Sequence, residues 1–123
     1  MQFSTEVRTA RAVALAEKLA GGTLCVRTGG KPMACADADA GVEIVSLKLP
    51  GKMTVKDGVV SAVAEPLRGL AMVKGVPGHW RVSKGGKCVA QGAVGQDFPI
   101  PAQEIEQGQL IEMRGWLITD GNI

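Results

Sequence analysis

Apolar residues change their spacing once along this chain, at Gly21-Gly22. Before that pair they recur at helical intervals. Phe3, Val7, Ala10 and Ala14 make one narrow stripe, and Ala12, Leu15, Ala16 and Leu19 make a second about half a turn away. The period predicts one helix over 4–20. Ser4 can cap it, Glu6 lies where the helix dipole favours an acid, and the two glycines stop it. Alanine dominates both stripes, so each face is shallow and lets another backbone come close. Two apolar faces are more than one sheet needs to cover. The expectation is a helix packed on both sides, or one with a side that awaits a partner chain.

Beyond Gly22 the period is two, the mark of strands. Alternation predicts strands over 23–28, 43–49, 53–56, 59–64, 79–84, 87–94 and 109–119, with a short edge strand at 69–73. In the second of these, Val45, Leu47 and Leu49 point inward and Ile44, Ser46 and Lys48 outward. Asp57-Gly58 and Gly85-Gly86 are two-residue hairpin turns. Segment 31–41, with Pro32 and Asp37-Ala38-Asp39, is a loop. Phe98-Pro99-Ile100-Pro101 is no central strand, because two prolines remove ladder donors. The last strand is apolar on both faces, with Ile111, Met113 and Leu117 on one and Leu110, Trp116 and Ile118 on the other. Such a strand belongs in the middle of a sandwich or under a partner. The fold class expected is mainly β: an antiparallel β-sandwich of about 7–8 strands over 23–119 with one N-terminal α-helix. A length of 123 residues, with no repeat and no linker, makes it a single domain over 1–123.

Composition narrows the core and the partners. Hydrophobic residues make up 46% of the chain, yet there are only 2 Phe, 2 Trp and no Tyr. The core is therefore built from small aliphatics, and rings for stacking on bases or sugars are scarce. The formal net charge of +2 is small and its cations are scattered. A nucleic-acid binder gathers them into a patch. No apolar run approaches the length of a membrane span. The start, Met1-Gln2-Phe3-Ser4-Thr5-Glu6, is polar with an early acid, unlike a secretory signal. The expectation is a chain made in the cytoplasm. Three cysteines, at 25, 35 and 88, argue against a disulfide framework and for buried free thiols, a single Cys35–Cys88 bridge being the alternative left open.

A search for chemistry returns little. His79 is the only histidine, so any nucleophilic triad would need it as base. A two-residue turn at Gly85-Gly86 pairs residue 79 with roughly 92 and residue 83 with Cys88, which puts the Cys88 thiol out of the ring's reach. One histidine and three dispersed cysteines make no standard zinc site. Asp37, Asp39 and Glu43 could offer oxygens to a cation but lack EF-hand spacing, and read as an acidic surface loop. Gly85-Gly86-Lys87 joins two strands and is no phosphate loop. Glu104 and Glu106 read as ordinary surface carboxylates. The reading is a protein that is not an enzyme, with no catalytic, cofactor-binding or metal-binding residues.

Four pieces of the chain carry a resemblance. They are Phe3-Ser4-Thr5-Glu6-Val7-Arg8; Gly75 with Gly78-His79-Trp80-Arg81-Val82; Cys88 with Gln91-Gly92; and Gly108-Gln109 with Gly115-Trp116-Leu117-Ile118-Thr119-Asp120-Gly121-Asn122. Their order and spacing resemble a family of small structural proteins of tailed bacteriophages. The likeness covers nearly the whole chain, rests on fold markers, and departs at 98–101 and in the thin aromatic content. It implies a virion protein, assembled in the host cytoplasm, with an all-β core, and it carries over no catalytic or ligand residues. The first expectation is a capsid decoration or cement protein packed on the major capsid protein. A head–tail junction or tail accessory protein is the alternative within the particle, and a host-surface binding module the alternative outside that class. Partners are then the major capsid protein or other virion proteins and further copies of the chain, with no nucleic acid and no membrane. On the two-faced helix and closing strand, the partner-facing candidates are Phe3, Val7, Leu15, Leu19, Leu110, Trp116 and Ile118.

Overall fold

The computed structural model describes residues 2–56, 58–61, 66–95, 98–114 and 116–118. The helix α1, Thr5–Leu19, begins where Ser4 accepts a hydrogen bond from the Val7 backbone N–H at 3.2 Å. It ends as the chain turns at Gly21, whose N–H donates to the Pro50 carbonyl. Only one face is packed. Ala12, Ala16 and Leu19 are buried, whereas Val7, Ala10 and Ala14 are exposed. Alanine at 12 and 16 lets the helix lie close to the hairpin of β3 (Thr54–Lys56) and β4 (Val59–Ser61).

Four more strands make the main sheet: β1 (Thr23–Thr28), β2 (Glu43–Lys48), β6 (Pro77–Lys84) and β7 (Lys87–Ala93), in the order β2-β1-β6-β7, all antiparallel. The β6–β7 turn is the expected Gly85-Gly86, both residues at positive φ, the backbone a tight hairpin requires. β5 (Leu67–Leu70) pairs with β8 (Leu110–Met113), and β9 (Leu117–Ile118) joins β4 and β3 as a three-stranded sheet. The protein is thus mainly β, with one helix and nine strands in three antiparallel sheets among the described residues. One apolar cluster joins them, from Leu24, Val26, Leu47 and Val82 of the main sheet to Val60, Ile111, Met113 and the helix.

Several expectations are corrected. The strand expected over 109–119 is two strands in two sheets, for β8 pairs with β5 and β9 with β4. Where the chain crosses between them, Trp116 turns into the core at 4% exposure and the alternation slips by one. Leu117 therefore faces solvent instead of sharing a face with Ile111 and Met113. Ile44, expected outward, is buried. The pairing of β1 with β2 passes from Val26↔Val45 to Arg27↔Glu43, so Ile44 is the extra residue of a bulge, and a bulge breaks the period of two. Segment 71–75 crosses over it, Met72 N–H donating to the Ile44 carbonyl at 2.7 Å. A similar irregularity between Val82 and Ser83 sets His79 opposite Ala93 rather than 92, while Cys88 does face Ser83. The strand placed at 69–73 is β5, three residues shorter at its end and paired on one side with β8. Asp57 and residues 62–64 of the expected 59–64 strand lie outside the described residues.

The few aromatic rings are concentrated. Trp80 stacks on Phe98 at 5.8 Å, and Trp116 stands edge-on to both, at 5.1 and 5.7 Å. Gly92, directly across from Trp80, is needed there, since a Cβ on it would come within 2.7 Å of the indole ring.

Candidate functional site

The main sheet has an apolar face on the core and a polar face opposite it. Across that polar face run Ser46, Cys25, Arg81 and Gln91, each the register partner of the next, with Arg27 opposite His79 alongside. A polar sheet face would ordinarily meet water. Here the loop between β1 and β2 is folded back over it and held by side chains from three strands.

Arg81 is the centre of this attachment. It is 3% exposed. Its Nη1 donates to Asp39 Oδ1 at 2.7 Å, and its Nη2 donates to the carbonyls of Cys35 at 2.6 Å and Asp37 at 3.0 Å. A guanidinium suits this task because its donors lie fixed in one plane, so several acceptors of a loop can be held at once. From β1, Arg27 donates to the carbonyls of Ala40 at 2.8 Å and Gly41 at 3.1 Å. From β7, Gln91 Nε2 donates to the Pro32 carbonyl at 2.8 Å. Within the loop, Asp37 Oδ2 accepts from the Ala34 N–H.

A covalent tie completes the attachment: Cys35 and Cys88 form a disulfide, with Cα atoms 5.4 Å apart. This corrects the expectation of free thiols and settles the alternative left open. It also removes Cys88 as a nucleophile in this state. His79 is fully buried, with Nδ1 donating to the Gly29 carbonyl at 2.9 Å and so carrying its proton there. His79 Nε2, Arg81 Nε and Gln91 Oε1 are buried with no hydrogen-bond partner among the described residues.

Between loop and sheet lies a cleft of about 820 Å³, lined by Cys25, the Cys35–Cys88 bridge, Asp37, Arg81 and Lys87. Cys25 is the free thiol. Burial first, then a hydrogen bond and the negative charge of Glu43, push it up to about 12 from its ordinary 9.0. Both causes penalise the thiolate, the form that reacts. Alkylation of the native protein by iodoacetamide at pH 8 is therefore expected to be roughly 1,000-fold slower than of the unfolded chain, by thiolate population. Equal rates would show that Cys25 is not so enclosed. The unfolded chain gives up this proton at lower pH than the native one. Cys25 thus contributes stability that is full below pH 9.0 and fades as pH rises toward about 12.

The acids of the loop are engaged. Asp39 answers Arg81 and lies 3.9 Å from Arg27. Glu104 and Glu106 both face Lys74, at 3.2 and 3.8 Å, and Glu104 above all holds the Lys74 ammonium to its charged form. Among the described residues no three His, Cys, Asp or Glu side chains gather as a metal site would require. Nor is any helix there long and apolar enough to cross a membrane.

The partner-facing candidates separate into three groups. Leu19 and Trp116 belong to the core of this chain and have no surface left to offer, which corrects their assignment. Leu15 and Ile118 are half-buried against that core. Phe3 is half-buried with the Arg11 guanidinium 4.8 Å above its ring. Val7 and Leu110 are exposed. Leu110, at 56% exposure, stands directly opposite Leu70 at 63%, and Met72 beyond β5 is exposed as well. Two positions along each strand, Arg68 and Glu112 are register partners and pair at 3.5 Å. Leu70 and Met72 were not among the candidates. Pairing of β5 with β8 is what brings Leu70 to Leu110, and nothing local in either strand signals that pairing.

No protein-family model, curated protein or solved structure matches the chain.

Proposed function

We propose that the protein is a structural component of a tailed-bacteriophage particle, a capsid decoration or cement subunit that packs on the major capsid protein. The observation that carries this reading is the exposed Leu70–Leu110 pair with Met72 beside it, on a sheet bordered by the Arg68–Glu112 ion pair. An aliphatic strip with a charged border fits burial against another protein surface. The resemblance of the sequence to small virion proteins supplies the kind of partner. A host-surface module that stacks on sugars fits less well, because Trp80, Phe98 and Trp116 are turned toward one another, Phe98 and Trp116 buried and Trp80 half-buried.

Quantifying the chain in purified particles tests the proposal. Hundreds of copies are expected for a capsid subunit, six or twelve would indicate the connector or tail, and none would overturn the reading. Leu70→Glu with Leu110→Lys is expected to weaken attachment to particles at least tenfold, with the unfolding midpoint unchanged, since both side chains are exposed. Unchanged attachment would place the contact elsewhere. Association of the free protein as a dimer or trimer is also expected, and light scattering showing a monomer across micromolar concentrations would count against it.

A further inference from the structure

We infer that the Cys35–Cys88 bond is a lock closed on an already folded protein, and that Arg81 is the residue that sets Cys35 against Cys88. Whether the protein belongs to a virus particle does not bear on this.

The two cysteines come from distant parts of the chain, 53 residues apart. In an unfolded chain they would meet rarely, and Cys25 would compete for either of them. In the folded protein the path of the loop is set on both sides of Cys35 without the bond. Gln91 holds Pro32 before it; Arg81 holds Asp37 and Asp39 after it; Arg27 holds Ala40 and Gly41 further on. The contact nearest the sulfur belongs to Arg81, which donates at 2.6 Å to the carbonyl of Cys35 itself. The same strand positions the other thiol. Ser83, two residues beyond Arg81 on β6, is the register partner of Cys88. One strand thus aligns both halves of the bond, one through a side chain and the other through the backbone ladder.

Cys25 lines the same cleft, yet its position on β1 is fixed by pairing with Ser46 and Arg81, two strands from β7. Its burial beside Glu43 keeps it a thiol at neutral pH, so it does not compete for Cys35 or Cys88.

Closure needs an oxidant, and oxidised glutathione, a small disulfide, serves. The thiolate of one cysteine attacks it, forming a mixed disulfide and releasing one reduced glutathione. The thiolate of the other then attacks the protein sulfur of the mixed disulfide and releases the second glutathione. Two electrons pass from the cysteine pair to glutathione, and the two thiol protons end on the two glutathione molecules.

The experiment uses the full chain carrying Cys25→Ser, equilibrated in mixtures of reduced and oxidised glutathione. The ratio at which half the protein is bridged gives the effective concentration of one thiol at the other. The reduced protein is expected to keep the near-ultraviolet circular dichroism and the dispersed amide spectrum of the oxidised one. Arg81→Lys keeps the charge but not the planar set of donors, and should lower the effective concentration about tenfold. Arg81→Met should lower it further. Val60→Ala, in the core on β4, removes general stability without touching the loop and should leave it within twofold of the parent. Three results would each overturn the inference. One is loss of native spectra on reduction under native conditions. Another is an Arg81→Lys variant whose effective concentration equals the parent's. The third is a Val60→Ala variant that loses as much as the arginine variants do.

Discussion

Trp116→Ala is expected to destabilise the protein by about 3–5 kcal/mol, the range for removing a large buried ring. The indole is 4% exposed and stands edge-on to Trp80 and Phe98 with interplanar angles of 83° and 85°. Edge-on contacts place the positive rim of one ring on the negative face of another, adding about 0.5–1.5 kcal/mol per pair to what burial alone supplies. The cavity left behind would be bordered by two rigid rings, which relax poorly into the space. Denaturant unfolding followed by circular dichroism measures the loss. The same variant distinguishes a core role from a partner-facing one. A core tryptophan lowers the stability of the isolated chain, whereas an interface tryptophan would leave that stability intact and weaken association alone. A loss below about 1 kcal/mol would mean that the ring is not the centre of the packing it is assigned here.

What the sequence made legible is what is settled within a few residues. The helix was readable because its cap, its first-turn acid and its stop all lie along one short stretch from Ser4 to Gly22. Strand Thr23–Thr28 and the Gly85-Gly86 hairpin were readable for the same reason. The errors fall where a distant segment decides. Ile44 is turned inward by a bulge beneath segment 71–75, which no alternation within 43–49 announces. Residues 109–119 alternate well enough to suggest one strand, but two different neighbours, β5 and β4, claim its two halves. Leu19 and Trp116 read as partner-facing because apolar residues occupy two faces of their segments, and the hairpin and aromatic cluster of the same chain that cover them lie far off in sequence.

The loop attachment was the least visible feature, although each of its parts could be named. Arg81 sits between Trp80 and Val82 in a strand, and by composition alone it is one of fourteen scattered cations. Its signal lies in the combination of a strand arginine, a second at Arg27, and a loop over 31–41 that carries Asp37, Asp39 and Cys35. Along the sequence these charges read as an acidic surface loop, because nothing in segment 31–41 itself places it over the sheet. Once the loop is folded over the sheet, the same aspartate and carbonyls become the acceptors that a buried guanidinium must find.

Removing the covalent tie should have the second large effect. A bridge across 53 residues restricts the unfolded chain, and the loop-entropy relation places its contribution at about 4 kcal/mol. Cys35→Ser with Cys88→Ser is therefore expected to lower the unfolding free energy by about 2–4 kcal/mol and the thermal midpoint by roughly 10–15 °C. The denaturant slope should rise, because the unfolded chain without the bridge exposes more surface. Native circular dichroism should persist, since seven hydrogen bonds from Arg81, Arg27, Gln91 and Asp37 still hold the loop. Stability and slope together separate two sources of the bond's contribution. If the bridge acts on the unfolded chain, both change, and local hydrogen exchange in the loop stays slow. If it acts by pinning a loop that is otherwise loose, the slope stays constant and exchange at 33–41 accelerates strongly. Arg81 inside the fold, with three acceptors from the loop on one guanidinium, favours the first outcome. A double-serine protein whose loop amides exchange as freely as a chain end would reverse that order and make the disulfide the principal fastening of the loop.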